Sequence, residues 1–121
     1  MGDGGLQMTI QELGTIMEHK LPVKMILLNN NYLGNVRQWQ DMFLNRRKSF
    51  TRMMNPDYSK ILAGYGIPYR VVIERDSLKE AISEMLSAKG PFLLECAIKD
   101  DDDVLPMTPP GKNVDEMMLE I

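Results

Sequence analysis

Short apolar runs alternate with amphipathic stretches along this chain, and that alternation restricts the fold more than any other feature. Val23 to Leu28 (VKMILL) and Phe92 to Ile98 (FLLECAI) are too short for core helices. They read as buried parallel strands, which carry near-continuous apolar residues because helices cover both faces. A third strand is predicted from Tyr69 to Glu74 around Val71, Val72 and Ile73. Between them the apolar period changes to three and four. Leu6, Ile10, Leu13 and Met17, with Ile16 on the flank, predict one helix of about four turns that Pro22 ends after Lys20. Leu33 to Phe43 predicts a short helix exposing Arg37 and Gln40. Pro56-Asp57 starts another, through Tyr58, Ile61 and Leu62, closed by Gly64 or Gly66. Asp76 or Ser77 caps a last helix with Leu78, Ala81, Ile82, Met85 and Leu86 on one face; Gly90-Pro91 breaks it. Asn45 to Asn55 is basic and polar and reads as a mobile loop. Residues 99–121 form a tail with an Asp run and three prolines.

Strands separated by helices imply an α/β fold with a parallel, doubly wound sheet. An ordinary sheet of this kind has five or six strands. Three are found here, and one more should lead into Gly2-Asp3-Gly4. The expectation is therefore a partial sheet lacking its first strands, completed by another copy or belonging to a fragment. At 121 residues the chain is one domain or part of one. Incomplete cover predicts exposed apolar surface, and with it a homo-oligomer or swapped arrangement.

Composition excludes several classes. The formal net charge of −3 leaves no basic stripe for nucleic acid, and Arg46-Arg47-Lys48 is too short to serve as one. No apolar run approaches the about 20 residues that span a membrane. Cys96 is alone, so no internal disulfide forms, and a reducing cytoplasmic setting fits. The eleven methionines read as adaptable core filling.

The chemistry is concentrated in two turns. Gly2-Asp3-Gly4-Gly5 precedes the first helix, and Asn29-Asn30-Asn31 ends the next strand. In a βαβ unit those turns share one edge of the sheet. The 26 residues between Asp3 and Asn30 hold one helix and one strand, about the minimum for a crossover. Asp3 and Asn30 therefore converge where open α/β sheets bind ligands. One carboxylate, one amide oxygen and a backbone carbonyl leave room around Mg²⁺ for two diphosphate oxygens and a water. The glycines admit a close approach, and the Gly4 and Gly5 amides open the first helix toward the diphosphate.

These residues match the thiamine diphosphate motif, Gly-Asp-Gly followed some 25 to 30 residues later by Asn-Asn. Further segments resemble acetolactate synthase (acetohydroxyacid synthase): Met8-Thr9-Ile10-Gln11-Glu12-Leu13, Leu21-Pro22-Val23-Lys24, Leu33-Gly34, Gln38-Trp39, Val104-Leu105-Pro106-Met107 and Pro110-Gly111. The likeness runs nearly end to end but covers only part of the carboxyl-terminal, diphosphate-binding domain of the catalytic large subunit. It implies Asp3, Asn30 and the carbonyl of Tyr32 as Mg²⁺ ligands. It places Gly2, Gly4, Gly5, Gly34 and Asn35 around the cofactor, and Trp39 on the substrate channel. Asn35 departs from the pattern, since methionine is common there.

The implied reaction is decarboxylation of pyruvate and condensation with a second 2-oxo acid, pyruvate or 2-oxobutanoate, in branched-chain amino acid biosynthesis. The family's catalytic glutamate lies on another domain, and no residue here matches it; Glu12 and Glu18 read as surface charge. The chain alone is therefore expected to be inactive. FAD would belong to an absent domain, and a regulatory small subunit is a further partner. The alternatives are another thiamine diphosphate enzyme, such as a pyruvate oxidase or a 2-oxo-acid decarboxylase, and an inert self-associating fragment. Gln38-Trp39 and Leu105-Pro106-Met107 favour acetolactate synthase. His19 reads as a helix-end contact, Cys96 as a buried small residue, and Asp100 to Asp103 as a solvated strand exit.

Overall fold

The computed structural model describes residues 1–100 and 102–120. Its elements run α1 (Asp3–Met8), α2 (Glu12–Glu18), β1 (Lys24–Asn29), α3 (Gly34–Phe43), α4 (Tyr58–Gly64), β2 (Tyr69–Val72), α5 (Leu78–Ser87) and β3 (Phe92–Ala97). A single 3₁₀ turn at Arg75–Ser77 leads into α5. The three strands form one parallel sheet in the order β1-β3-β2, with Met25 beside Leu93 and Tyr69 beside Leu93 on the other side. The expected parallel α/β architecture is present.

β3 is central, and its first four residues are all buried. Leu93 and Leu94 point to opposite faces and are fully enclosed, as is Leu27 of β1. On one face Leu6, Leu13, Tyr58 and Leu62, from α1, α2 and α4, close over Met25, Leu27 and Leu93. On the other, Ala81 and Met85 of α5 cover Val72, Phe92 and Leu94. Burying a side chain such as Leu93 stabilises the fold by about 1.5–3 kcal/mol. α5 packs on β2 and β3, and Ile26 and Leu28 of β1 stay 42% and 44% exposed.

The strand expected ahead of Gly2 is represented by two residues. Gly2 bridges Leu28 in parallel, the Leu28 amide donates to the Met1 carbonyl across 2.8 Å, and the Met1 amine donates to Ile26 O.

Several expectations need correction. The first helix is two. Thr9 to Gln11 interrupt it, and the amides of Glu12, Leu13 and Gly14 reach back three residues rather than four. Thr9 Oγ1 donates to Gly5 O, the local bonding by which threonine competes with the helix ladder. The break shifts the phase of α2, so Ile16 packs on the core and Met17 is 49% exposed. In α5, Leu86 faces solvent. Ser77 does not cap α5 with its side chain; its hydroxyl donates to Glu74 O. β2 ends at Val72, before Ile73. α4 ends as the glycines suggested. Gly66 has φ +66°, its amide donates to Ala63 O, and the Ile67 amide donates to Leu62 O, the paired bonds of a Schellman cap.

Residues 45–55 carry no helix or strand, but their end is pinned. Leu33 N donates to Thr51 O and Met53 N to Asn31 O, both at 2.8 Å, around a Tyr32–Arg52 bridge. Those bonds hold the loop against the turn after β1, where the sequence reading had it mobile.

Candidate functional site

A cavity of about 350 Å³ opens at the carboxyl ends of the strands. Its lining combines Gly2, Asp3, Gly4 and Gly5 from the start of α1 with Asn30, Tyr32, Gly34 and Asn35 from the β1–α3 turn. Every residue read from the sequence as a metal or cofactor contact is on this wall. Trp39 is not. It lies further along α3, 42% exposed and edge-to-face with Phe43 at 5.5 Å.

Local bonding explains the shape. Asn30 Oδ1 accepts from Tyr32 N at 3.0 Å and Asn29 Oδ1 from Asn31 N at 3.1 Å, two Asx turns that end β1. Asn31 takes φ +58° between them. α1 and α3 both begin at the cavity, and neither start has a side-chain cap. The first-turn amides, which have no intrahelical partner in any α-helix, are thus not taken by a capping side chain, which suits an anion. A β-carbon at Gly4 would lie 2.6 Å from Leu33 Cδ2 and 3.3 Å from Met53 Sδ, so those side chains would have to shift to admit one. At Gly2 and Gly5 a β-carbon would meet no protein atom within 4 Å and would stand beside the cavity.

Asp3 is 1% exposed. Among the described residues its one side-chain partner is Asn55, whose Nδ2 donates to Asp3 Oδ2 at 2.7 Å. A buried carboxylate with no ion pair is costly without a compensating cation or donors. Among the described residues no three His, Cys, Asp or Glu side chains cluster as a metal site. The donor set here is one carboxylate with neutral oxygens. It fits a hard cation that draws its other ligands from a phosphate group.

Behind the cavity runs a polar network that the sequence reading missed. Asn29 Nδ2 donates to Glu95 Oε1 at 2.7 Å, and Tyr69 Oη donates to Glu95 Oε2 at 2.6 Å. Burial, then the Glu95 bond, push the Tyr69 hydroxyl far above its usual range. Burial also raises Tyr58, with the negative charges of Asp3 and Glu95 adding to it. A lone acid inside the apolar run Phe92–Ala97 was the available signal. Cys96 is half-buried, and burial raises its thiol, as suits a packing residue rather than a nucleophile.

α3 carries a second correction. Arg37, expected to be exposed, is 6% exposed. Its guanidinium lies over the Tyr32 ring at 5.5 Å and donates to Asp102 O and to the Asp103 carboxylate. Gln38 is also buried and pairs twice with Val104: Nε2 donates to Val104 O and Val104 N donates to Oε1, both at 3.0 Å. The acidic run is thus partly tied to α3 rather than wholly solvated; Asp101 lies outside the described residues. His19 ends α2, and its amide donates to Thr15 O.

Comparison with known proteins places this architecture. Residues 1–96 match the family model for the thiamine pyrophosphate enzyme C-terminal TPP binding domain. The chain belongs to that family. Within it, the chain is 40% identical over 121 residues to the acetolactate synthase isozyme 2 large subunit of Escherichia coli (strain K12), covering 99% of this chain and 22% of that protein. It is 40% identical over 119 residues to acetolactate synthase of Arthrospira platensis, covering 97% and 21%. The acetolactate synthase large subunit of Pyropia yezoensis is 39% identical over 119 residues, covering 97% and 20%. The chain therefore spans about a fifth of the length of these relatives. Among solved structures, the Rhodococcus jostii RHA1 thiamine diphosphate-dependent 4-hydroxybenzoylformate decarboxylase superposes with a TM-score of 0.77 at 25% identity, over 85% of this chain and 20% of that one.

Proposed function

We propose that this chain supplies the diphosphate- and Mg²⁺-holding wall of an acetolactate synthase active site. The observation that carries the reading is the shared cavity: buried Asp3 at the start of α1, with Asn30, Tyr32 and Gly34 from the turn after β1.

Each residue has a task. Asp3 brings the negative charge that a divalent cation needs. Asn30 spends one lone pair of Oδ1 on Tyr32 N and keeps the other for the cation. The Tyr32 carbonyl is the third protein ligand. The first-turn amides of α1 and α3, around Gly4, Gly5, Gly34 and Asn35, receive the diphosphate oxygens. Gly2 and Gly5 leave the space that it fills. Trp39, one turn beyond Asn35 on α3, belongs to the outer channel and the choice of 2-oxo acid.

When bound, thiamine diphosphate supplies a nucleophilic carbon and an electron sink for loss of CO₂ from a 2-oxo acid. Asp3 and Tyr32 are the titratable side chains among the described residues of the cavity wall. Asp3 is committed to the cation and the Tyr32 ring lies beneath the Arg37 guanidinium, so acid–base work is assigned to a group outside this wall. The complete reaction, pyruvate with a second pyruvate or 2-oxobutanoate, thus needs the rest of an enzyme of the relatives' length. That enzyme is a cytoplasmic homo-oligomer in this reading, with a regulatory small subunit as a further partner and FAD held elsewhere if used.

Calorimetric titration with thiamine diphosphate and Mg²⁺ tests the reading. Wild type should bind only when Mg²⁺ is present, and Asp3→Ala should abolish the heat. Absence of heat with wild type would favour a module that binds nothing. Acetolactate formation from pyruvate by this chain alone would contradict the division of labour.

A further inference from the structure

We propose that Asn55 is the positioning residue for the Asp3 carboxylate, aiming it at the cation from behind. This inference rests on the cofactor reading and concerns a residue of the loop before α4.

Asn55 is fully engaged. Its Nδ2 lies 2.7 Å from Asp3 Oδ2, 2.9 Å from Asn29 Oδ1 and 3.1 Å from Asn31 Oδ1. Two hydrogens serve three oxygens, and the carboxylate makes the shortest contact. Its Oδ1 accepts from Gln7 Nε2 at 2.6 Å and from Tyr58 Oη at 3.0 Å. These two donors fix which end of the amide faces Asp3, because the oxygen end is already taken.

The anchor is rigid. Tyr58 is 3% exposed in the core against Leu62 and Leu93, and Gln7 stands on α1 itself. Asn55 therefore joins the start of α1, the end of β1 and the entry to α4 at one amide. Asp3 and Asn30 come from the first two of these segments, so the same side chain sets the carboxylate and steadies the turn that offers Asn30. A donor on Oδ2 leaves Oδ1 as the carboxylate oxygen for the cation. Asn suits the position: it donates to an anion without adding charge, whereas Asp would place two carboxylates 2.7 Å apart. Groups that hold a metal ligand from behind typically contribute ten- to a hundredfold in metal affinity.

Two measurements decide it. In the first, Mg²⁺ with thiamine diphosphate is titrated into wild type, Asn55→Ala and Gly66→Ala. Gly66→Ala strains the α4 cap, remote from the cavity, and so controls for general loss of stability. Asn55→Ala should weaken binding about tenfold or more, with Gly66→Ala within about twofold of wild type. Equal losses in both, or none in Asn55→Ala, would overturn the proposal. In the second, the side-chain amide resonances of Asn55 are followed by NMR without metal or cofactor. Asp3→Ala should shift them and hasten their exchange with water. Unchanged resonances would overturn the positioning role whatever the titration gives. No binding by wild type would instead overturn the cofactor reading, while the metal-free spectra still decide whether Asn55 holds Asp3.

Discussion

Gly4 and Leu33 meet so closely that a β-carbon on Gly4 would stand 2.6 Å from Leu33 Cδ2. The contact joins the starts of α1 and α3, the two helices that open onto the cavity. It also separates two glycines that look alike in the sequence.

Gly5 is helical, and a β-carbon there meets nothing within 4 Å. Gly5→Ala should raise stability by about 0.5–1 kcal/mol, since alanine loses less backbone freedom in a helix. The added methyl stands at the cavity wall, so cofactor binding should weaken in the same variant. Gly4→Ala should not share the stability gain, because Leu33 and Met53 must move. Thermal melts and calorimetry on the two variants check this opposition.

Gln38 reads the backbone of Val104 as a neighbouring strand would, through one donated and one accepted bond. Gln38→Ala should cost about 1 kcal/mol, because water can replace the amide on the exposed tail segment. The sharper outcome is local. The Val104 amide should exchange with solvent much faster, while amides of β3 stay protected. Hydrogen exchange resolved by residue measures both.

Asp57 caps α4, accepting from the amides of Ser59 and Lys60. Its side-chain bonds to Ser59 and Lys60 lower its pKa from 3.8 to about 2. A carboxyl depressed on folding stabilises the native state above its unfolded pKa. The contribution should be complete above 3.8 and disappear as pH falls from 3.8 toward 2. Melting temperatures of wild type and Asp57→Ala should thus converge over that acid range and stay apart at neutral pH. A constant gap would contradict the capping account.

The parallel sheet was legible because buried strands such as Phe92 to Ala97 are almost wholly apolar, and the glycine–aspartate turn because few residue types serve there. The break at Thr9 was not legible. The apolar period carries on through it, and only the folded structure shows that the hydroxyl bonds to Gly5 O. Burial of Arg37 and Gln38 was hidden for a different reason: their partners lie 65 and 66 residues ahead in a segment without periodicity. Asn55 looked like loop composition because its five bonding partners, apart from Tyr58, are distant in sequence. Tertiary polar pairing leaves no period to read.

The central claim is the location of the cation. Mn²⁺ in place of Mg²⁺, added with thiamine diphosphate to the isotopically labelled chain, broadens NMR signals of nuclei near it. The amides of Gly4, Gly5, Asn30 and Gly34 should fade first, while those of α5 and β2 persist. Broadening centred on the Asp100–Asp103 run instead, with Gly4 and Asn30 still sharp, would contradict the site.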